Sequence, residues 1–276
     1  MDFVRFWFRQ PSLAAFMGLA VFLVTAIPAS AADDAPSTNA AVQDPAAEMI
    51  FMTMADFIAK APAFSVTVRS GYDAIQADGQ RIEFGEQRRL LIQRPDRVRV
   101  DVQRSDGDRG MILFDGKEIT VFKADDNIYA CAEKPGTVDD VLVYLVKDLQ
   151  MTLPLARMFH TGFPQQMEKI VTSISYVEED ELFDVPTDHL AVRSADVDMQ
   201  IWIAQGDKPL PRRVVLTYKN APGQPQFWAN LSGWELSPKV AADSFAFTPP
   251  AGAEKIPFVV PKRQTGSIPA QKGGEQ

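Results

Sequence analysis

From Ala63 to Cys131, and again from Ile170 to Phe247, apolar and polar residues alternate with a period of two. One stretch between them, Thr137 to His160, breaks the alternation with helical spacing. Period two sends successive side chains to opposite faces of a strand, so both flanking blocks have to build sheet with one apolar face. Phe64, Val66, Val68 and Tyr72 face one way while Ser65, Thr67 and Arg69 face the other. Val98, Val100 and Val102 alternate with Arg97, Arg99, Asp101 and Gln103. Ile82, Phe84, Leu90 and Ile92 share a face that Glu86 and Arg88 interrupt. Asp78-Gly79, Arg94-Pro95-Asp96, Gly107, Asp115-Gly116 and Asp125-Asp126-Asn127 supply the turns. Beyond the interruption the alternation runs through Ile170 to Tyr176, Leu190 and Val192, Val197 to Ile203, Val214 to Tyr218 and Phe227 to Leu236, with a short last strand at Phe245 to Phe247.

About eleven strands that are close neighbours in sequence make an antiparallel meander, and a sheet that large has to twist and curl. With one face apolar it wraps around something. The expected fold is mainly β (α+β): a single large antiparallel half-barrel sheet with helices covering its concave face.

Two helical segments fit that role. Asp44-Pro45 reads as an N-cap followed by a first-turn proline, and Ile50, Met54, Phe57 and Ile58 form a stripe that ends at Ala61-Pro62. In the interrupting stretch Thr137 and Asp140 have capping-box spacing. Val138, Val141, Leu142, Leu145 and Leu149 follow at helical spacing, and Pro154 opens a second piece, Leu155 to Phe159. Val143, Tyr144 and Val146 make this helix apolar nearly all round, so it is either buried on several sides or covers something apolar. It is a core helix packed on the sheet, or a movable plug over a hydrophobic cavity.

Residues 1–32 read as a secretory signal peptide: Arg5 and Arg9, the apolar run Leu13 to Ile27, then Ala29-Ser30-Ala31. No cysteine lies near that cleavage site and no twin arginine precedes it, so export by the general secretion route to the periplasm, without a lipid anchor or a stable membrane span, is expected. Residues 33–43 read as a flexible leader, 44–261 as the folded domain and 262–276 as a disordered tail.

A net charge of -8 offers no basic footprint for nucleic acid. A single cysteine, Cys131, excludes an intramolecular disulfide, and with only His160 and His189 besides it a Cys/His structural zinc site is out of reach. No serine elbow, His-Glu-x-x-His, phosphate loop or dinucleotide fingerprint occurs. No enzymatic activity, cofactor or metal is therefore expected; a monomer is also expected.

Several motifs in order give a resemblance. Arg94-Pro95-Asp96-Arg97-Val98-Arg99 forms a strand turn, and Phe114-Asp115-Gly116-Lys117 a hairpin before the strand that ends in Phe122. The apolar helix pair Val138 to Phe159 comes next, then Leu210-Pro211, and a closing Phe245-Ala246-Phe247-Thr248-Pro249-Pro250-Ala251-Gly252. In these the chain resembles the bacterial periplasmic lipoprotein-carrier (LolA/LolB-like) superfamily, and within it an uncharacterised family of predicted periplasmic proteins. The resemblance implies transport or binding of lipid or lipoprotein acyl chains in a concave apolar cavity, with the 138–159 helices as a lid. The inward-facing residues that would line it are Phe64, Val66, Val68, Tyr72, Leu90, Ile92, Val98, Val100 and Met111 from the sheet, and Leu142, Leu145, Leu149, Leu155, Met158 and Phe159 from the helices. At about 0.8 kcal/mol per buried methylene, one long chain could supply roughly 10 kcal/mol before ordering costs. The carrier also implies a basic residue where the mouth meets the lid, a part open to Arg94, Arg97 or Arg99, although the last two alternate with valines and should face solvent. The alternative is an envelope protein-interaction or sensor scaffold that uses the same half-barrel with a filled core and binds an envelope protein partner.

Overall fold

The computed structural model describes residues 44–258 except 150, 152 and 242. The expected signal peptide, leader and tail, with residues 259–261, lie outside the described residues.

Helix α1 (Pro45–Lys60) starts where the Asp44 carboxylate accepts from the backbone N–H groups of Ala46 and Ala47, with proline in the first turn. Met54 and Ile58 are buried as the stripe required, and Ala47, Phe51 and Ala55 join them; Ile50 and Phe57 lie half-buried beside that line. The carboxyl of Asp44 is held below the usual carboxylate range, first by the Ala47 N–H bond and then by the N–H of Tyr176.

The strands are β1 (Ala63–Ile75), β2 (Arg81–Gln93), β3 (Arg97–Arg104), β4 (Arg109–Phe114), β5 (Glu118–Lys123), β6 (Ile128–Glu133), β7 (Val171–Glu181), β8 (Pro186–Ser194), β9 (Val197–Ala204), β10 (Pro211–Tyr218), β11 (Gln226–Glu235) and β12 (Glu254–Lys255). They make one open sheet in the order β12-β6-β5-β4-β3-β2-β1-β11-β10-β9-β8-β7. It is two meanders, not one. The first strand lies in the middle, paired antiparallel with β2 (Phe64 opposite Ile92) and with β11 (Val68 opposite Leu231). Residues that face each other across a ladder share a face, which puts Val66, Leu90, Val100 and Ile112 on the covered side together with Ala229, Val214, Ile201 and Leu190.

Two expectations fail at the C-terminal side. Phe245 to Phe247 is not a strand: the chain turns there and crosses the outer face, where the Phe247 ring meets Phe122 at 5.6 Å and Tyr129 at 5.1 Å. Pro249 and Pro250, which follow at once, have no N–H to give to a ladder. The twelfth strand is instead Glu254–Lys255, and it runs parallel to β6 in an otherwise antiparallel sheet. Ile170 does not open β7 either; it ends a further helix described below.

Candidate functional site

The interrupting stretch is built in three short pieces over the concave face, with one more helix after it. Helix α2 (Val138–Val143) carries the expected capping box: the Thr137 hydroxyl accepts from the Asp140 N–H at 3.2 Å, and the Thr137 N–H donates to the Asp140 carboxylate at 2.8 Å. The Thr137 hydroxyl, then its backbone N–H, hold the Asp140 carboxyl below its ordinary range. The helix then widens into a π turn over Tyr144–Asp148, with the Leu149 N–H donating to the Tyr144 carbonyl. After Pro154 comes a 3-10 helix, Ala156–Phe159, where a piece from Leu155 to Phe159 was expected. Helix α3 (Phe163–Ile170) follows, with Pro164 in its first turn.

The insert does not seat evenly. At its Phe159 end it is anchored. The Phe159 ring lies 5.6 Å from Phe64 and 6.5 Å from Trp234, and Phe64 and Trp234 are themselves 5.6 Å apart. Phe163 packs on Phe51 of α1 at 6.1 Å. Arg94 binds the same end through its guanidinium, donating to the carbonyls of Ala61 at 3.2 Å and Phe159 at 2.8 Å, with Asp139 of α2 at 3.6 Å. Burial pulls the Arg94 guanidinium below its ordinary range, and Asp139 opposes that. Asp139 in turn accepts from the N–H and the hydroxyl of Thr161. Of the three arginines to which the mouth part was open, only Arg94 touches the insert among the described residues. Arg97 is half-exposed beside Asp96, and Arg99 pairs with Asp101 on the outer face and donates to the Ser244 carbonyl.

Around Leu142 and residues 153–156 there is space on both sides. Toward β1–β4 lies a small cavity of about 70 Å³, lined by Val68, Leu90, Val98, Val100, Leu142, Leu145, Leu155 and Phe159 among others, with Ser70 and the Glu86–Arg88 ion pair (2.6 Å) at its polar side. Toward β8–β10 lies a groove of about 910 Å³, floored by Leu142, Leu155, Met158, Phe163 and Met167 and walled by Val192, Met199, Val214, Leu216 and Tyr218. Leu142, Leu153, Pro154, Leu155 and Ala156 line both spaces, so a single layer of side chains divides them. Burial in the wall pushes the Tyr218 phenol above its ordinary ionisation range.

The expected site residues sort accordingly. Val68, Leu90, Val98, Val100, Leu145 and Phe159 border the small cavity, Met158 borders the groove, and Leu142 and Leu155 border both. Phe64, Val66, Ile92 and Leu149 are packed in the solid core. Tyr72 sits at the end of the covered face, stacked on Phe84 at 5.9 Å. Met111 was expected to face inward and does not. It lies opposite Asp101 and Phe122 in the ladders, so it points to the outer face beside Phe122 and Phe247. The sheet residues expected to line the site belong to the first meander, whereas the larger space is against the second. The period-two runs Val197 to Ile203 and Val214 to Tyr218 carried the signal for that wall, and Phe163, Met167 and Ile170 at i, i+4 and i+7 carried the signal for α3.

Among the described residues no group of three or more His, Cys, Asp or Glu side chains converges as metal ligands would, and no helix is long and apolar enough to cross a membrane.

A family model described as "Predicted periplasmic protein (DUF2092)" matches residues 47–259. No curated protein matches the chain. Among solved structures, the lipoprotein LppX of Mycobacterium tuberculosis is similar at 15% identity over 72% of this chain and 100% of that one, with a TM-score of 0.43. A LolA superfamily protein from Nitrosomonas europaea is similar at 11% identity over 73% of this chain and 97% of that one, TM-score 0.36. The Pseudomonas aeruginosa MucA/MucB complex is similar at 16% identity over 74% of this chain and 61% of that one, TM-score 0.38.

Proposed function

The chain belongs to the DUF2092 family of predicted periplasmic proteins, and we propose that in the periplasm it is a non-enzymatic carrier or binder of lipid or lipoprotein acyl chains. The single observation that carries this reading is the apolar groove of about 910 Å³ between the insert and the second meander. That volume falls within the range of small-molecule sites, whereas the 70 Å³ cavity on the other side does not. An acyl chain in the groove would lie on Leu155, Met158 and Met167 and against Met199 and Leu216, gaining about 0.8 kcal/mol for each methylene removed from water. Nothing beyond a shaped apolar surface is needed for that gain. The anchored Phe159 end is the fixed side of the lid, and Leu142 with residues 153–156, which have space on both sides, are the part that yields.

Native mass spectrometry of the protein from its own periplasm, followed by lipid extraction, tests the reading, with uptake of a fluorescent fatty acid as the second measurement. Bound amphiphile is expected, and Met199→Trp, which fills the groove from its wall, should reduce uptake without moving the unfolding midpoint by more than a few degrees. Repeated absence of any bound amphiphile together with no uptake would overturn it.

One observation favours docking of an envelope protein as a second activity of the same fold. β7 is one edge of the sheet, held at Tyr176 by Asp44, and Val177 within it and Phe183 just beyond it are 48% and 62% exposed. A partner adding a strand there would cover both. Capture of a defined envelope protein that survives Met199→Trp but not Val177→Lys would support it.

A further inference from the structure

The groove is apolar on its floor and walls, but its rim carries a charge that the rest of the chain does not foreshadow. Lys147 on the π turn, Arg157 on the 3-10 helix and Lys169 at the end of α3 all line it, and all three are exposed. None of the three side chains makes an ion pair or a hydrogen bond with the described residues. The one acidic residue in the lining, Asp196, already accepts from the Asn220 side chain at 2.8 Å. The whole chain carries 36 acidic and 28 basic residues, so a rim of three unpaired cations against one engaged carboxylate runs opposite to the net charge.

Large apolar side chains stand exposed between these cations. Val143 is 38% exposed, Val146 40% and Ile170 38%, and all three line the groove. Val143, Val146 and Lys147 are spaced i, i+3 and i+4, so one helical face presents apolar carbon and a cation together to the groove instead of to the core. Lysine and arginine stems add apolar surface while their heads stay in water. His160 lies at the same rim. Its Nδ1 accepts from the Gly162 N–H at 2.8 Å, which fixes the ring's orientation.

We propose that the groove selects amphiphiles with an anionic head, a phosphate or a carboxylate, held at the rim by Lys147, Arg157 and Lys169 while the chain lies on the floor. This rests on the acyl-binding reading above and sharpens it from a chain to a class of lipid. A zwitterionic or uncharged head would leave the three cations solvated, with no gain on binding. A free anion would have only solvated side chains to meet and no apolar surface to use.

The test compares ligands that share one tail. Delipidated protein is titrated, below micelle concentrations, with palmitoyl lysophosphatidylglycerol, palmitate, palmitoyl lysophosphatidylcholine, monopalmitoylglycerol and inorganic phosphate. The same series is run on the triple variant Lys147→Gln, Arg157→Gln, Lys169→Gln, whose three sites are on the surface. At low salt the two anionic amphiphiles should bind about tenfold or more tightly than the uncharged one, with the margin shrinking as salt rises. The triple variant should lose that margin and keep its affinity for monopalmitoylglycerol and its unfolding midpoint. Equal affinity for all four amphiphiles, unchanged in the triple variant, would overturn the headgroup inference and leave acyl binding standing. Binding of no amphiphile would overturn both. Phosphate that competes as well as lysophosphatidylglycerol would mean an anion site independent of the chain, and an acidic amphipathic peptide that binds where no lipid does would mean a protein occupant; either overturns the inference.

Discussion

Replacing Arg94 with methionine would remove the guanidinium that ties the end of α1, the 3-10 helix and α2 to one another, and keep most of the side chain's apolar bulk. Two bonds from a charged donor are lost, to the carbonyls of Ala61 at 3.2 Å and Phe159 at 2.8 Å. Bonds to charged groups contribute about 1.5–3 kcal/mol each, and both carbonyls lose the donor that reaches them. The side chain is 12% exposed, so water can partly replace it, and a net loss of about 2–4 kcal/mol is expected. The ion pair with Asp139 is the smaller part. It spans 3.6 Å to a carboxylate 23% exposed that already accepts from Thr161, which puts its worth below about 1 kcal/mol. Urea unfolding of Arg94→Met, Asp139→Asn and the double variant separates the two contributions. The midpoint of Arg94→Met should fall with an unchanged slope, and the coupling energy should stay below about 1 kcal/mol. Uptake of an acyl probe should quicken, because the fixed end of the lid is loosened. A stability loss below about 1 kcal/mol, or a coupling above about 2 kcal/mol, would refute the account in which carbonyl anchoring, not the ion pair, holds the insert.

Thr137→Ala removes the hydroxyl that caps α2 and should cost about 1 kcal/mol, with faster amide exchange over 138–148, while Thr137→Ser should keep most of the cap. Gly71→Ala would place a methyl 2.6 Å from the Trp228 indole nitrogen, which donates to Glu83 at 2.8 Å and faces the Arg213 guanidinium. The ring has to move, so a loss of about 1–3 kcal/mol and a changed tryptophan emission are expected. Tyr218 should ionise above the pH of a free tyrosine, read as the phenolate absorbance lost in Tyr218→Phe. Its folded-state ionisation is raised, so the stability it contributes is complete below about pH 10 and is lost as pH rises through the higher folded value.

The parts legible from the chain alone are those decided within a few residues. The capping box at Thr137 and Asp140 and the Asp44 cap were readable because donor and acceptor are neighbours in sequence. The orientation of Val98 and Val100 was readable because charged residues alternate with them. Met111 was not, because Met111 to Phe114 is apolar throughout and period two cannot choose between its faces; a shift of one residue reverses every side chain. Arg94 could be named with Arg97 and Arg99 as a basic residue near the lid, but choosing it required knowing which turn meets the Phe159 carbonyl. The π turn at Tyr144–Asp148 left no mark in the apolar spacing that announced the helix.

By itself the sequence determined that there would be a curled sheet with one apolar face and a greasy helical insert over it, because alternation and capping are local properties of the backbone. Tertiary structure decided that β1 would sit between β2 and β11, joining residues more than 150 positions apart, as Arg69 and Asn230 are. It also decided that the insert would press close to the first meander and stand off from the second. Empty space is what packing leaves between elements remote in sequence, and no periodicity within one element records how far away the next will be.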